Sequence, residues 1–307
     1  MNAASDEEQT RAIIRTCFGP SCLEYVTNKH AGGTSGKKGS RYEDLFVAYK
    51  AAEVAANQVE FPGAPWPFLA GQQLNFVDDA LLSSDSATEY FQLKNALSVA
   101  WGHGAKTIGD DFSKQFTLAQ HRGDKNPLTH LVVSSESEQV KLSNSIPNAI
   151  MGHTKVSFFP YYKEGTINSL VVGSRDVQNI LIKIVKDENA ALDSMESALT
   201  LISAACMEHP GGCSVEKIIE YVHKRYPGHL RLFSIADFSS SLTKAFVDTL
   251  AEIKGLWYSL SRGYFNWSGY GTSGSFQHDC FSDQFVKFQE RIVEVSPATF
   301  DDFEKLV

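Results

Sequence analysis

The chain has 307 residues, 43% of them hydrophobic, enough for a full core in one medium domain followed by a smaller one. Its formal charge of −8 excludes a long non-specific grip on nucleic acid, although a local basic rim can sit on an acidic protein. No apolar run approaches the ~20 residues that span a bilayer. The start of the chain is polar, unlike a signal peptide, and five scattered cysteines make no disulfide framework, so a cytoplasmic protein with no membrane role is expected.

In chain order, a short helix is predicted over residues 8–16, with Ala12, Ile13 and Ile14 as its apolar part. In the Gly-rich residues 31–39, Ala31, Gly36 and Lys37 fall at the spacing of a loosened phosphate-binding loop. However, Lys38 stands where Ser or Thr is needed, and residues 26–30 are polar where a buried strand should precede the loop. A basic loop whose Lys37 and Lys38 touch a phosphate backbone is the simpler reading. Next, Tyr42, Leu45, Phe46 and Tyr49 lie at i, i+3, i+4 and i+7, the stripe of a helix that packs on a sheet. Ser40 and Glu43 fit a capping box at its start, and Glu43 is also placed to lean over that sheet. Three prolines in residues 61–69 predict a rigid connection.

Residues 74–82 and 89–94 read as two strands joined by a Ser/Asp-rich turn. Alternation puts Gln92 and Lys94 on one face with Tyr90, and Phe91 and Leu93 on the other. It also sends Asp78 and Asp79 to opposite faces, so that only one of them meets Gln92 and Lys94. A carboxylate and an amide oxygen suit a hard divalent cation, and an ammonium beside them can orient water or stabilise phosphate charge.

Asp78-Asp79, a gap of about a dozen residues and then Gln92-Leu93-Lys94 resemble the acid and Gln-x-Lys signature of the PD-(D/E)xK nuclease superfamily, in its Mrr-like variant. The pattern is also similar to the double-stranded DNA endonuclease domain of cyclic-nucleotide-triggered antiphage effectors. The resemblance covers about residues 32–135, a third of the chain, and implies an α/β, restriction-endonuclease-like mixed central sheet flanked by helices. By the same resemblance the reaction is metal-dependent hydrolysis of DNA in bacterial antiphage defence. Mg²⁺, or Mn²⁺ in its place, would be held by Asp79 and Gln92, with Asp78 as the alternative acid and Glu43 completing the shell. Lys94 would orient the attacking water. DNA is the expected partner, under control by a defence ATPase, a sensor or homo-oligomer assembly.

Beyond the motif, residues 107–120 carry the helical stripe Ile108, Phe112, Phe116 and Ala119, and residues 129–134 read as a buried strand, making a strand, helix, strand crossover. His103 and His121 read as solvated loop histidines. Residues 155–162 and 169–173 look strand-like, Val177, Ile180, Leu181, Ile184 and Val185 mark a helix, and residues 187–189 suggest the end of a first domain. The expected division is therefore 1–190, with its core from about 31, and 191–307. The second part is predicted to hold helices over 195–207, 214–226 and 240–254, an aromatic hairpin around Ser261-Arg262-Gly263, and a tail helix carrying Phe285, Phe288 and Ile292. In outline it resembles a winged-helix module. Lys224, Arg225 and Arg231 form its basic cluster, a candidate nucleic-acid contact. Cys206, His209 and Cys213 have a loose zinc spacing, but a helix end followed by a Gly turn explains them as well. A second reading keeps the nuclease fold without catalysis and uses the hairpin aromatics Trp257, Tyr264 and Trp267 to dock a partner such as an ATPase.

Overall fold

The computed structural model describes residues 3–35, 41–233 and 237–307, with side chains from residue 7 and, in the first segment, up to residue 31. Lys37, Lys38 and the expected N-cap Ser40 lie outside the described residues. Helix α1 (Ala3–Phe18) turns at Gly19, whose φ of +84° suits glycine, into α2 (Pro20–Ser35), which starts with proline where no backbone N–H is needed. The helical α2 was not anticipated, because Gly32-Gly33-Thr34-Ser35 reads as a breaker.

Helix α3 (Arg41–Glu60) buries Ala48, Ala51, Ala52, Ala55 and Ala56, small helix-forming residues that let neighbours approach on more than one side. Strands β1 (Phe68–Gly71), β2 (Ala80–Ser83) and β3 (Thr88–Lys94) form an antiparallel run. Helix α4 (Ile108–Arg122), capped by Thr107, then crosses over to β4 (Pro127–Val133), parallel to β3. After α5 (Glu136–Ser143), β5 (Thr154–Phe158) pairs in parallel with β4. The chain continues through α6 (Ile167–Gly173), α7 (Arg175–Ile184) and α8 (Leu192–Met207) to the short β6 (Cys213–Ser214), antiparallel to β1, and α9 (Val215–Arg225). The result is a mixed six-stranded sheet in the order β5-β4-β3-β2-β1-β6, flanked by helices, as the sequence led one to expect.

Strand alternation divides the core. Phe91, Leu93 and Val132 pack with α3, while Tyr90, Leu131 and Val133 pack with Phe112 and Ala119 of α4 on the other face. Three expectations need correction. Residues 74–79 are not strand: only 80–83 are, and the rest is a loop from β1 to β2. Residues 169–173 are helical, because Thr166 and Ser169 cap each other reciprocally and Leu170 and Val171 face the core. Finally, the first core does not stop at residues 187–189: Leu199 and Ile202 of α8 and Ile218 and Val222 of α9 share the α3 cluster, and β6 joins the sheet.

A further cluster is built from α10 (Lys244–Ala251), the strands β7 (Trp257–Ser261) and β8 (Tyr264–Gly269), α11 (Asp283–Val295) and α12 (Phe300–Glu304), with β9 (Thr272–Ser275) paired antiparallel to β8. The winged-helix outline is not formed, since α8 and α9 belong to the other core. The expected hairpin is present, with positive φ at both Arg262 and Gly263. Arg262 docks it by donating to the carbonyls of Ile182 and Val185 at the end of α7, both at 2.8 Å. Cys206 and Cys213 flank a turn in which Gly212, at φ +81°, lies against β1: a Cβ there would sit 2.7 Å from Leu69 O. No helix is long and apolar enough to cross a membrane among the described residues.

Candidate active site

The loop of residues 72–79 carries both acids, and its shape is set from three sides. At its mouth Gln72 N donates to Asp79 O (3.2 Å) and Gln73 N to Asp78 O (3.0 Å). At its tip Leu74 and Phe76 are buried against Ile14 of α1 and Val26 of α2. From α4, the wholly buried Gln115 accepts from Phe76 N (2.9 Å) and Val77 N (3.1 Å) through one oxygen. The loop therefore delivers its acids to the end of β3 with four of its backbone N–H groups, those of Gln72, Gln73, Phe76 and Val77, held by hydrogen bonds.

Asp79 enters β2 opposite Gln92, as the register Ala80 to Phe91 requires. Its Oδ2 accepts from Gln92 Nε2 and, at 2.6 Å, from Leu93 N. Gln92 thus meets Asp79 through its amide nitrogen, and its oxygen faces the other way. Glu43, in the first turn of α3, leans over the sheet as one of its two expected roles required and accepts from Gln72 Nε2 at 2.6 Å. Burial, with the Asp79 charge beside it, pushes Glu43 up to about 7 against the pull of Gln72 and Lys94. Lys94 closes the group: it is within electrostatic reach of Glu43 and Asp78 but makes no hydrogen bond or ion pair with any described residue.

Asp78 does not point away, as strand alternation implied, because residue 78 lies in the loop. It faces Lys29 of α2 at 3.1 Å. Lys29 Nζ also donates to Gln92 Oε1 (3.0 Å), Phe76 O (2.6 Å) and Asp111 Oδ2 of α4 (3.2 Å), and Tyr25 OH donates to the same Asp111 oxygen (3.0 Å). Burial pushes Asp78 up to about 6 despite Lys29, and pushes Asp111 up as well. Lys29 itself is raised: burial works against its charge, and Asp78 and Asp111 outweigh it.

The expected residues Glu43, Asp78, Asp79, Gln92 and Lys94 are therefore gathered at one end of the sheet. Lys29, Asp111 and Gln72 were missed. Tyr25 and Lys29 stand i, i+4 on one helix face, a spacing visible only once residues 20–35 are read as a helix. Elsewhere, Lys224 and Arg225 sit exposed at the end of α9, whereas Arg231 is half-buried with Arg262 and Glu188 as its charged neighbours. The basic cluster is thus split. His103 and His121 are exposed, as expected, although His121 lies in the last turn of α4 and not in a loop.

No three of His, Cys, Asp and Glu converge to hold a metal among the described residues, so an ion here needs amide or backbone oxygens too. One such oxygen is present. Gln72 Oε1 is buried without a hydrogen-bond partner, on the side chain that holds Glu43, and two acids held up near neutrality are the kind of pair a cation relieves. The donor set fits a hard divalent cation of modest affinity.

The position of Glu43 has a measurable cost. A carboxylate raised from its ordinary 4.5 to about 7 contributes stability below pH 4.5 that is lost as pH rises through about 7. Glu43→Gln, which mimics the protonated acid, should therefore be more stable than wild type at pH 8 by about 1–2 kcal/mol after discounting for partial exposure, and equal to it at pH 4. Urea unfolding at both pH values checks this, and a constant difference would mean that Glu43 carries no such cost.

Compared with protein-family models, with curated proteins and with solved structures, the chain matches none.

Proposed function

We propose that the chain is a metal-dependent DNA endonuclease of PD-(D/E)xK type that acts in bacterial antiphage defence. The observation that carries this reading is the meeting of Asp79 with Gln92 across β2 and β3, with Glu43 beside them and the ammonium of Lys94, which has no hydrogen bond or ion pair among the described residues. Asp79, Glu43 and Gln72 Oε1 are the groups that would hold Mg²⁺, or Mn²⁺ in its place, with Gln92 fixing Asp79. A bound ion supplies Lewis-acid polarisation of the phosphate and a more acidic water. Lys94 holds the phosphate oxygens and orients the water, a role suited to a compact point charge. Glu43, poised near neutrality, exchanges a proton with solvent.

The test is incubation of the purified protein with linear and supercoiled DNA, with Mg²⁺ or with chelator. Metal-dependent cleavage that is lost in Asp79→Asn supports the reading, and intact DNA in every arm overturns it. A companion measurement concerns Gln92. Gln92→Glu replaces the N–H that neutralises Asp79 with a second anion, so calorimetric titration should show Mn²⁺ binding about 3–10-fold tighter than in wild type. Equal affinities would place Gln92 outside the influence of the ion.

The docking reading keeps one observation in its favour. Trp257 is 76% exposed beside a groove of about 660 Å³, whereas Tyr264 is buried and Trp267 packs on Phe300 and Phe303. Of the three aromatics expected to dock, Trp257 alone is exposed, with Tyr258 and Tyr270 also exposed nearby, so the contact differs from the one expected.

A further inference from the structure

The outer face of the β7-β8-β9 sheet differs from an ordinary solvent-exposed sheet face. Cross-strand partners share a face, so the register puts Trp257, Ser268 and Ser273 in one row and Ser259, Asn266 and Ser275 in the next. The opposite face carries Leu260, Phe265 and Trp267 into the C-terminal core. Neither outer row holds a charge or a β-branched residue, the groups that usually protect and stiffen an exposed strand. Serine and asparagine keep the floor low instead, and asparagine is a poor strand former. The hydroxyls of Ser259, Ser268, Ser273 and Ser275 make no hydrogen bond among the described residues. Asn266 gives an amide proton to Tyr264 O (3.1 Å) and keeps its oxygen as an acceptor. The floor is therefore a row of groups with hydrogen bonds still to make.

Residues 186–189 form a wall beside this floor, and the wall is pinned to it. Arg262 donates to Asp187 O (3.3 Å), Ser261 Oγ to Glu188 Oε1 (2.9 Å) and Lys186 Nζ to Phe276 O (2.7 Å). Floor, wall and Trp257 line the groove of about 660 Å³, a size within the ~300–1,000 Å³ of small-ligand sites. Its charges disfavour a polyanion. Asp187 and Glu188 bring two carboxylates, whereas Lys186 is committed to Phe276 O, lies 4.4 Å over the Tyr264 ring and is pushed down to about 8 by burial. An extended peptide would need pockets for alternate side chains, which a floor of uniformly small residues does not offer. We propose that the groove binds a neutral saccharide chain, stacked on Trp257 by an apolar ring face and hydrogen-bonded to the serine and asparagine rows and to Asp187 and Glu188. A pyranose supplies both halves of this contact: its C–H face suits the negative face of an indole, and each of its hydroxyls donates and accepts as a serine does. The groove shares no residue with Glu43, Asp79, Gln92 or Lys94, so this inference goes beyond the nuclease reading and stands or falls separately.

The experiment titrates the full chain with cellohexaose, maltohexaose and chitohexaose, which are neutral and differ in shape, and with a single-stranded oligothymidylate. Binding is read by tryptophan fluorescence and by calorimetry. At least one hexasaccharide should bind with a Kd below about 1 mM and shift the emission. Trp257→Ala should weaken that binding at least ~tenfold, and Trp257→Phe, which keeps a smaller ring, should weaken it less. Ser273→Lys fills the floor from the exposed edge strand and should weaken it by a similar factor. Both positions are exposed and neither side chain belongs to a core, so each variant tests the groove in a folded protein. No binding of any of the three hexasaccharides overturns the proposal. Binding that keeps its wild-type affinity in Trp257→Ala or in Ser273→Lys overturns it as well, because the sugar then sits elsewhere. A groove that takes the oligothymidylate through Trp257 and no saccharide also overturns it, and makes this face a platform for nucleic acid.

Discussion

Lys94→Ala should abolish DNA cleavage, by at least ~100-fold in kcat/KM, while leaving the fold in place. The two halves of this expectation come from the same geometry. Lys94 ends β3 half-buried, near Glu43 and Asp78, and makes no hydrogen bond or ion pair with any described residue, so no described side chain competes directly with a substrate phosphate for it. Removing a side chain with no hydrogen bond or ion pair among the described residues should change stability by less than ~1 kcal/mol. Lys94→Arg should recover only part of the activity, because a planar fork does not replace a compact point charge. Cleavage assays beside urea unfolding of the three proteins decide the matter. Wild-type rates in Lys94→Ala would end the assignment of Lys94, and an unfolded Lys94→Ala would show that its charge is structural.

The parts of the site carried by regular elements could be read from the sequence. The stripe of α3 and the alternation of β3 each follow a local rule, and together they put Gln92 and Lys94 on one face with Glu43 in reach. The antiparallel register made Asp79 the partner of Gln92. The loop of residues 72–79 escaped the same treatment because Leu74, Phe76 and Val77 are as apolar as strand residues. They are buried for another reason: α1 and α2 cover two of them, and the third packs in the α4-side cluster. Where a loop is held by distant groups, neither periodicity nor turn chemistry carries the information. Lys29 was hidden more deeply. Its helix runs through Gly32 and Gly33, which argue locally against helix, and its partners lie 47 to 82 positions away. The same competition between local preference and tertiary packing explains residues 169–173, where Val171 and Val172 favour a strand and the capping pair Thr166 and Ser169 wins.

The loop also yields the largest expected effect on stability. Gln115→Ala should destabilise the protein by about 2–5 kcal/mol, because one buried oxygen serves two backbone donors, Phe76 N and Val77 N, and its loss leaves both without a partner in a dry place. The cost of the cavity is separable. Gln115→Leu restores most of the volume but not the acceptor, so it should remain nearly as destabilised as Gln115→Ala if the hydrogen bonds dominate. Recovery of wild-type stability in Gln115→Leu would show that packing alone is what Gln115 provides. Since the same loop positions Asp78 and Asp79, either variant should also lose cleavage under conditions where it remains folded, although Gln115 makes no hydrogen bond to either acid. Urea unfolding followed by cleavage at low temperature gives both readings. A variant that is destabilised as expected but cleaves at the wild-type rate would mean that the pairing of Asp79 with Gln92 and Leu93 N holds the acid in place without the support of α4.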